Sequence, residues 1–277
     1  EKDFRGIVIG NQGDHFSAGA DISMIFTLIV EQEWKLLEEA VKTFQNTSMR
    51  IRYSTIPIVV ATHGLTLGGG CEFTLHADAV QAASETYIGL VELGVGLIPG
   101  GGGTKEMALR ASDLYYEGDI ELPRLKEYFL NIGQAKVSTS GQEAFDLGYL
   151  RKGIDNISVN SEKLIQDAKE KIILLDNLGY TRPIKRNNIK VLGKQALGMF
   201  LVGADSFKQG NYITEHEKLM SEKLAYVLCG GNLSSPTFVS EQYLLDLERE
   251  AFLSLCGEAK TLERIKYMLE KGKPLRN

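Results

Sequence analysis

Two glutamates and a run of glycines are the residues whose types and spacing could do chemistry. Gly68, Gly69 and Gly70 are followed at once by Cys71 and Glu72, and a second carboxylate, Glu92, stands 92 − 72 = 20 residues further on. Glycine has no Cβ, so it lets a backbone come close to a ligand. At the start of a helix it also presents N–H groups that have no partner inside that helix, where the dipole favours negative charge. With a second N–H from the small-residue loop HFSAGADI (His15 to Ile22), a carbonyl oxygen between the two donors is held in an oxyanion hole. Two carboxylates beside such an oxygen can divide acid and base work, one taking a proton from water while the other delivers one to carbon.

Other chemistries fit these residues less well. Gly94, Gly96 and Gly100 miss the spacing of a dinucleotide-binding G-x-G-x-x-G, and Pro99 sits in the turn. A phosphate-binding loop needs lysine before the hydroxyl residue, whereas Gly103-Thr104-Lys105 has the reverse order. His63 and His76 lie near the glycines without a serine elbow or a cysteine partner, and read as packing or loop histidines. Cys71 reads as a small buried hydrophobe, because a neighbouring carboxylate raises a thiol pKa rather than lowering it.

The elements that must position these residues alternate between strand and helix. GIVIG (residues 6–10) predicts a strand closed by the turn NQGD. Trp34, Leu37, Val41 and Phe44 recur at helical spacing, Pro57 breaks the pattern, and IVVA (58–61) predicts a second core strand before a loop and helix at the glycines. AVQAAS and TYIGL predict two short strands, MALRA a helix, and IDNISV a last strand. Ser140 with Glu143 and Thr214 with Glu217 have the spacing of capping boxes. From Lys163 onward the pattern is helical. The expectation is an α/β fold with a helical C-terminal region, divided at residues 1–160 and 161–277.

Composition narrows the setting. The 277 residues carry 31 lysines and arginines against 36 aspartates and glutamates, a formal charge of −5, which gives no footprint for nucleic acid or anionic membrane. The basic run RPIKRNN from Arg182, with Lys190 just beyond, reads as a solvated loop. Three widely spaced cysteines support neither a disulfide framework nor a zinc site, so no metal is expected and the expected compartment is the reducing cytoplasm. No apolar run reaches the ~18 residues of a membrane span. The first residues lead directly into a buried-strand pattern, from which the expectation is that the chain opens inside a fold.

The order FSAGADI, PIVVATHGLTLGGGCE and GLVELGVGLIPGGGGT closely resembles the crotonase (enoyl-CoA hydratase/isomerase) superfamily over about residues 5–160. The resemblance implies a crotonase-like spiral of β-β-α units whose opening strands precede Glu1. It implies Ala20 and Gly69 as the oxyanion donors, and Ala20, Asp21, Ile22, Ser23 and Gly69 as the acyl-CoA site. Glu72 would then activate water for addition at C3, and Glu92 would protonate C2 of an enoyl thioester. The family's usual proline before the second glutamate is Val91 here.

RIRYSTIPIVVA, AKVSTSGQEAFDLGYL, KLAYVLCGG and EQYLLDLEREAFLSLCGEAKTLERIKYMLEKGKPLRN are similar to the C-terminal crotonase-like part of bacterial multifunctional 3-hydroxyacyl-CoA dehydrogenases of fatty-acid β-oxidation. That narrower likeness implies an enoyl-CoA hydratase within a longer protein. This segment would use no cofactor beyond the substrate's coenzyme A, with NAD serving a dehydrogenase domain elsewhere. The alternatives are an enoyl-CoA isomerase using one glutamate, and a non-catalytic acyl-CoA-binding or assembly module. Self-association, or contact with the dehydrogenase domain, is the expected partnership. The segment between Lys105 and Lys136 is longer than in simple hydratases and carries an added charged helix, ELPRLKEYFLN.

Overall fold

The computed structural model describes residues 3–277. In chain order the elements are β1 (Ile7–Ile9), α1 (Ile22–Val30), α2 (Trp34–Arg52), β2 (Ile58–Leu67), α3 (Gly69–His76), β3 (Ala79–Gly89), a 3-10 turn (Glu92–Val95), α4 (Gly103–Asp113), α5 (Leu122–Gly133) and α6 (Gly141–Asp146). They continue with β4 (Asn156–Ser158), a 3-10 turn (Ser161–Lys163), α7 (Leu164–Asn177), β5 (Ile189–Val191), α8 (Gly193–Gln209), α9 (Glu215–Leu228), β6 (Thr237–Val239), α10 (Glu241–Cys256) and α11 (Ala259–Lys271). The chain is therefore mixed α/β with a helical C-terminal region. No helix among the described residues is long and apolar enough to cross a membrane.

Contacts group the chain into two units. The first joins the segment ending at Ala20 to Asn46–Leu90 and Lys136–Lys185. It holds the parallel sheet β1-β2-β3-β4, in which consecutive strands are neighbours. Val59, Ala61, Ala79 and Ala83 on the sheet pack against Leu164, Ala168 and Ile172 of α7. The alanines let the helix sit close, and the β-branched residues favour strand.

The predicted loop after IVVA is strand instead, because β2 continues to Leu67. The two predicted strands AVQAAS and TYIGL are likewise one strand, β3. The reason is a shared irregularity: Thr62 pairs with Ala82 but Gly64 with Thr86, so the ladder skips residues on β3 and then resumes. The Thr86 hydroxyl lies between Thr62 O at 3.1 Å and Ala83 O at 2.8 Å, bridging the break. A bulge of this kind re-aims a strand without ending it. Here it lets β2 carry on to the glycines.

The second unit comprises Asp21–Gln45, Val91–Ala135 and Arg186–Asn277. β5 and β6 pair antiparallel in it, so β4 is not the last strand. At three residues each they are too short to show a period. Thr214 and Glu217 close the full capping box of α9, each side chain bonding the other's backbone. At α6 the box is rearranged: Ser140 accepts from Glu143 N, but Glu143 returns to Thr139 N at 2.6 Å. The basic run is only partly a solvated loop. Arg186 pairs with Asp113 at 2.7 Å, and Lys190 pairs with Glu121.

A buried charge network fastens α4. Lys105 is fully buried, with Nζ 3.2 Å from Glu106 and 2.9 Å from Glu241, and Arg110 reaches Glu106 at 3.1 Å. The Glu248 carboxylate of α10 accepts from Gly102 N at 2.6 Å and Lys105 N at 3.0 Å, capping the helix with negative charge at the positive end of its dipole. Removing such an acceptor leaves two buried N–H donors unsatisfied, at about 1–3 kcal/mol each. Glu248→Ala is therefore expected to destabilise the chain by about 3 kcal/mol, read as a fall in the urea unfolding midpoint. A shift under about 1 kcal/mol, the size of an exposed pair, would contradict this account of α4.

Candidate active site

Within the first unit, the loop before α1 runs beside the end of β2. Phe16 N donates to His63 O, Ser17 N to Leu65 O and Leu67 N back to Ser17 O, each at 2.9 Å, and Ser17 pairs with Thr66 in an isolated parallel bridge. The approach is close enough to dictate residue types. A Cβ at Gly70 would stand 2.4 Å from the Ser17 Cβ, and Gly19 holds φ 109°, a conformation that side chains rarely adopt. Gly68 turns the chain from strand into α3 at φ 51°, ψ −122°, which a side chain would oppose.

Ala20 and Gly69 each follow a glycine of this contact. Among the described residues neither of their backbone N–H groups donates a hydrogen bond within the chain. Gly69 is buried and Ala20 is exposed. The helix begun by Gly69 has no side-chain cap. The Gly69 N–H, at the positive end of that helix's dipole, is thus placed to meet a ligand oxygen.

The two glycine runs differ in this respect. At the second run the N-terminal donors of α4 already serve Glu248, so those glycines pack a helix rather than await an anion. Gly100 has a packing role as well, since a Cβ there would lie 2.7 Å from the Phe252 ring.

Glu72 stands in the first turn of α3, only 4 % exposed, next to the fully buried Cys71. Its unit is the one that holds Ala20 and Gly69. Glu92 opens the 3-10 turn Glu92–Val95 in the second unit, half-buried, with its backbone oxygen accepting from Leu97 N at 3.1 Å. Asp21 is the N-cap of α1, accepting from Ser23 N at 2.9 Å and Ser23 Oγ at 2.5 Å. The Ser23 bonds hold its carboxyl below the usual carboxylate range. Ile22 is half-buried and Ser23 exposed at the start of the same helix.

The histidines near the glycines hold backbone. His76 Nδ1 donates to Glu72 O at 2.6 Å, and His63 Nε2 donates to Gly13 O at 2.7 Å. Cys71, Cys229 and Cys256 are buried free thiols, and burial pushes the last two up to about 12. Among the described residues no three His, Cys, Asp or Glu side chains gather as a metal site would require.

Sequence reasoning passed over three residues that shape this region. Glu248 lies on the apolar face of α10, and a carboxylate at a buried helical position was the available signal. Thr261, which bonds Gly96 of the Glu92 turn, and His216, which bonds Thr261, gave no signal, since a threonine and a histidine on helices are ordinary.

The model of the enoyl-CoA hydratase/isomerase family matches residues 1–111, the stretch that contains both glutamates and both proposed donors. Over that stretch the chain is similar to the family. It is 45% identical over 277 residues to a Bacillus subtilis protein named probable 3-hydroxyacyl-CoA dehydrogenase, covering 100% of this chain and 34% of the relative. A Rickettsia felis protein named as a fatty acid oxidation complex trifunctional enzyme is 29% identical over 278 residues, covering 98% of this chain and 34% of its own length. The chain thus spans about a third of the length of those curated relatives. Its fold is that of an enoyl-CoA hydratase from Rhodobacter sphaeroides, with TM-score 0.63 and 19% identity over 99% of this chain and 79% of the other.

The contact between Gly70 and Ser17 makes a direct test of this geometry. Gly70→Ala must push the Phe16–Gly19 loop away, and overpacking of that kind costs about 1–3 kcal/mol. We expect a lower urea midpoint together with faster amide exchange at Ser17 and Leu67. Unchanged exchange at both amides would show that the loop is not held as described.

Proposed function

We propose that this chain catalyses the reversible hydration of a 2-enoyl-CoA to a 3-hydroxyacyl-CoA, as a module of a longer protein that also bears an NAD-dependent 3-hydroxyacyl-CoA dehydrogenase. The observation that carries the reading is the pair of backbone N–H groups, Ala20 and Gly69, at the ends of two joined backbone segments with no acceptor among the described residues. Two such donors suit a thioester oxygen that gains negative charge as C3 is attacked. The family likeness and the fatty-acid-oxidation relatives support the same chemistry.

Glu72 takes a proton from water as its oxygen bonds to C3, and the C2–C3 π pair moves toward the thioester oxygen. Glu92 gives a proton to C2, and proton exchange through water restores both carboxyls. The products contain one water more than the substrate and nothing is oxidised or reduced. Ala20 to Ser23 line the acyl-CoA site. The reaction asks no cofactor of this segment, because coenzyme A arrives with the substrate and NAD serves the dehydrogenase. The buried free thiols support a reducing, cytoplasmic setting.

In the full-length protein, Glu72→Gln and Glu92→Gln are each expected to lower kcat for crotonyl-CoA hydration by about 10²–10⁴, the usual weight of a general acid or base. The loss of enoyl-thioester absorbance measures it. Near-normal turnover in either variant removes that residue from the mechanism. Conversion of a 3-enoyl-CoA that needs only one of the two glutamates would identify an isomerase, and tight binding without turnover an assembly module.

A further inference from the structure

The turn that carries Glu92 is fastened from α11 and α9, within one unit of the chain. The Thr261 hydroxyl donates to Gly96 O at 2.8 Å, and its oxygen accepts from His216 Nε2 at 2.9 Å. Thr261 is fully buried and His216 is 3 % exposed, so neither bond competes with bulk water. Gly96 ends the turn at φ 88°, and a Cβ there would stand 2.9 Å from the Thr261 Cα, so the two backbones meet without room for a side chain. Arg264, one turn further along α11, reaches toward Leu93 O at 3.5 Å. Inside the turn, Gly96 N donates to Leu93 O and Leu97 N to Glu92 O, so a shift at Gly96 is passed back to Glu92.

The bond directions fix the chemistry of the chain of donors. Thr261 spends its only proton on Gly96, so the ring proton of His216 must lie on Nε2. Burial, reinforced by the nearby Arg264 and Lys260 charges, pushes His216 down to about 4 and keeps the ring neutral near pH 7.

We propose that Thr261, with its hydroxyl aimed by His216, is a positioning residue that sets where the Glu92 carboxyl stands. Its consequence for turnover rests on the reading of Glu92 as the group that protonates C2. Misplacing a reacting group by ~1 Å costs up to about a hundredfold in rate, with little effect on the affinity for the rest of the substrate.

The test compares Thr261→Val, which keeps the shape and deletes the hydroxyl, with Thr261→Ser, which restores it, in the full-length protein. Hydrogen exchange over residues 92–97 and crotonyl-CoA hydration are both read. The expected result for Thr261→Val is exchange faster by about tenfold and kcat lower by about tenfold or more, with KM within about twofold. Thr261→Ser is expected to return both to near wild type, and His216→Phe to fall on the side of Thr261→Val. Wild-type exchange and kcat in Thr261→Val overturn the proposal, as does a raised KM with kcat unchanged, which would make Thr261 a binding residue. Should Thr261→Val fail to fold, His216→Phe decides by the same readings. A wild-type protein without hydration would instead overturn the hydratase reading, and exchange at 92–97 would then decide the positioning role alone.

Discussion

The distance between the Phe16–Gly19 loop and the end of β2 is the constraint on which the candidate site depends. Three backbone bonds draw the two segments together, and the approach is so close that Gly70 has no room for even a methyl group. This contact brings Gly19 against Leu67 and Gly68 just where each segment turns away from the other. The residues that come next, Ala20 and Gly69, keep N–H groups that no backbone partner among the described residues takes up. Buried polar groups such as the Gly69 N–H are ordinarily paired. Those left open at a helix start suit an oxygen that becomes negative.

The same principle separates two stretches that look alike as text. Gly68 to Gly70 and Gly100 to Gly103 are both glycine runs that open a helix. At α4 a carboxylate from α10, 146 positions away from Gly102, fills the N-terminus. At α3 the Gly69 N–H donates to no group of the chain among the described residues. The chemistry therefore follows from what reaches each run in space, and glycine content alone does not distinguish them. The helices after residue 186 supply such reaching groups repeatedly: Glu248 to α4, Thr261 to Gly96 and Arg264 toward Leu93.

Much of the fold was legible because it rests on local signals. β1, α2, the α9 capping box and the Ser140 cap of α6 follow from β-branched runs, helical spacing and short-range side-chain bonds. The order of motifs around the glycines was also enough to indicate the family. What misread was non-local. The break between AVQAAS and TYIGL is a bulge held by pairing with β2, so it interrupts the pattern without ending the strand. β5 and β6 exist through each other's pairing and have no period of their own. Arg186 sits in a basic run that looks solvated until Asp113 is brought to it. For the site, Glu72 and the glycines stood out by type and spacing. Thr261 and His216 could not, since their roles arise from contacts 165 and 45 positions away.

The most direct measurement of the central claim is the infrared carbonyl stretch of an enoyl-CoA thioester, carbon-13-labelled at the carbonyl, bound to the full-length protein. Two backbone N–H donors aimed at the oxygen weaken the C=O bond, so a clear shift to lower frequency is expected relative to the thioester in water. Loss of most of that shift is also expected in Gly70→Ala, where the loop bearing Ala20 is displaced. A bound thioester whose carbonyl frequency matches that in water would contradict the assignment of Ala20 and Gly69 as the donors.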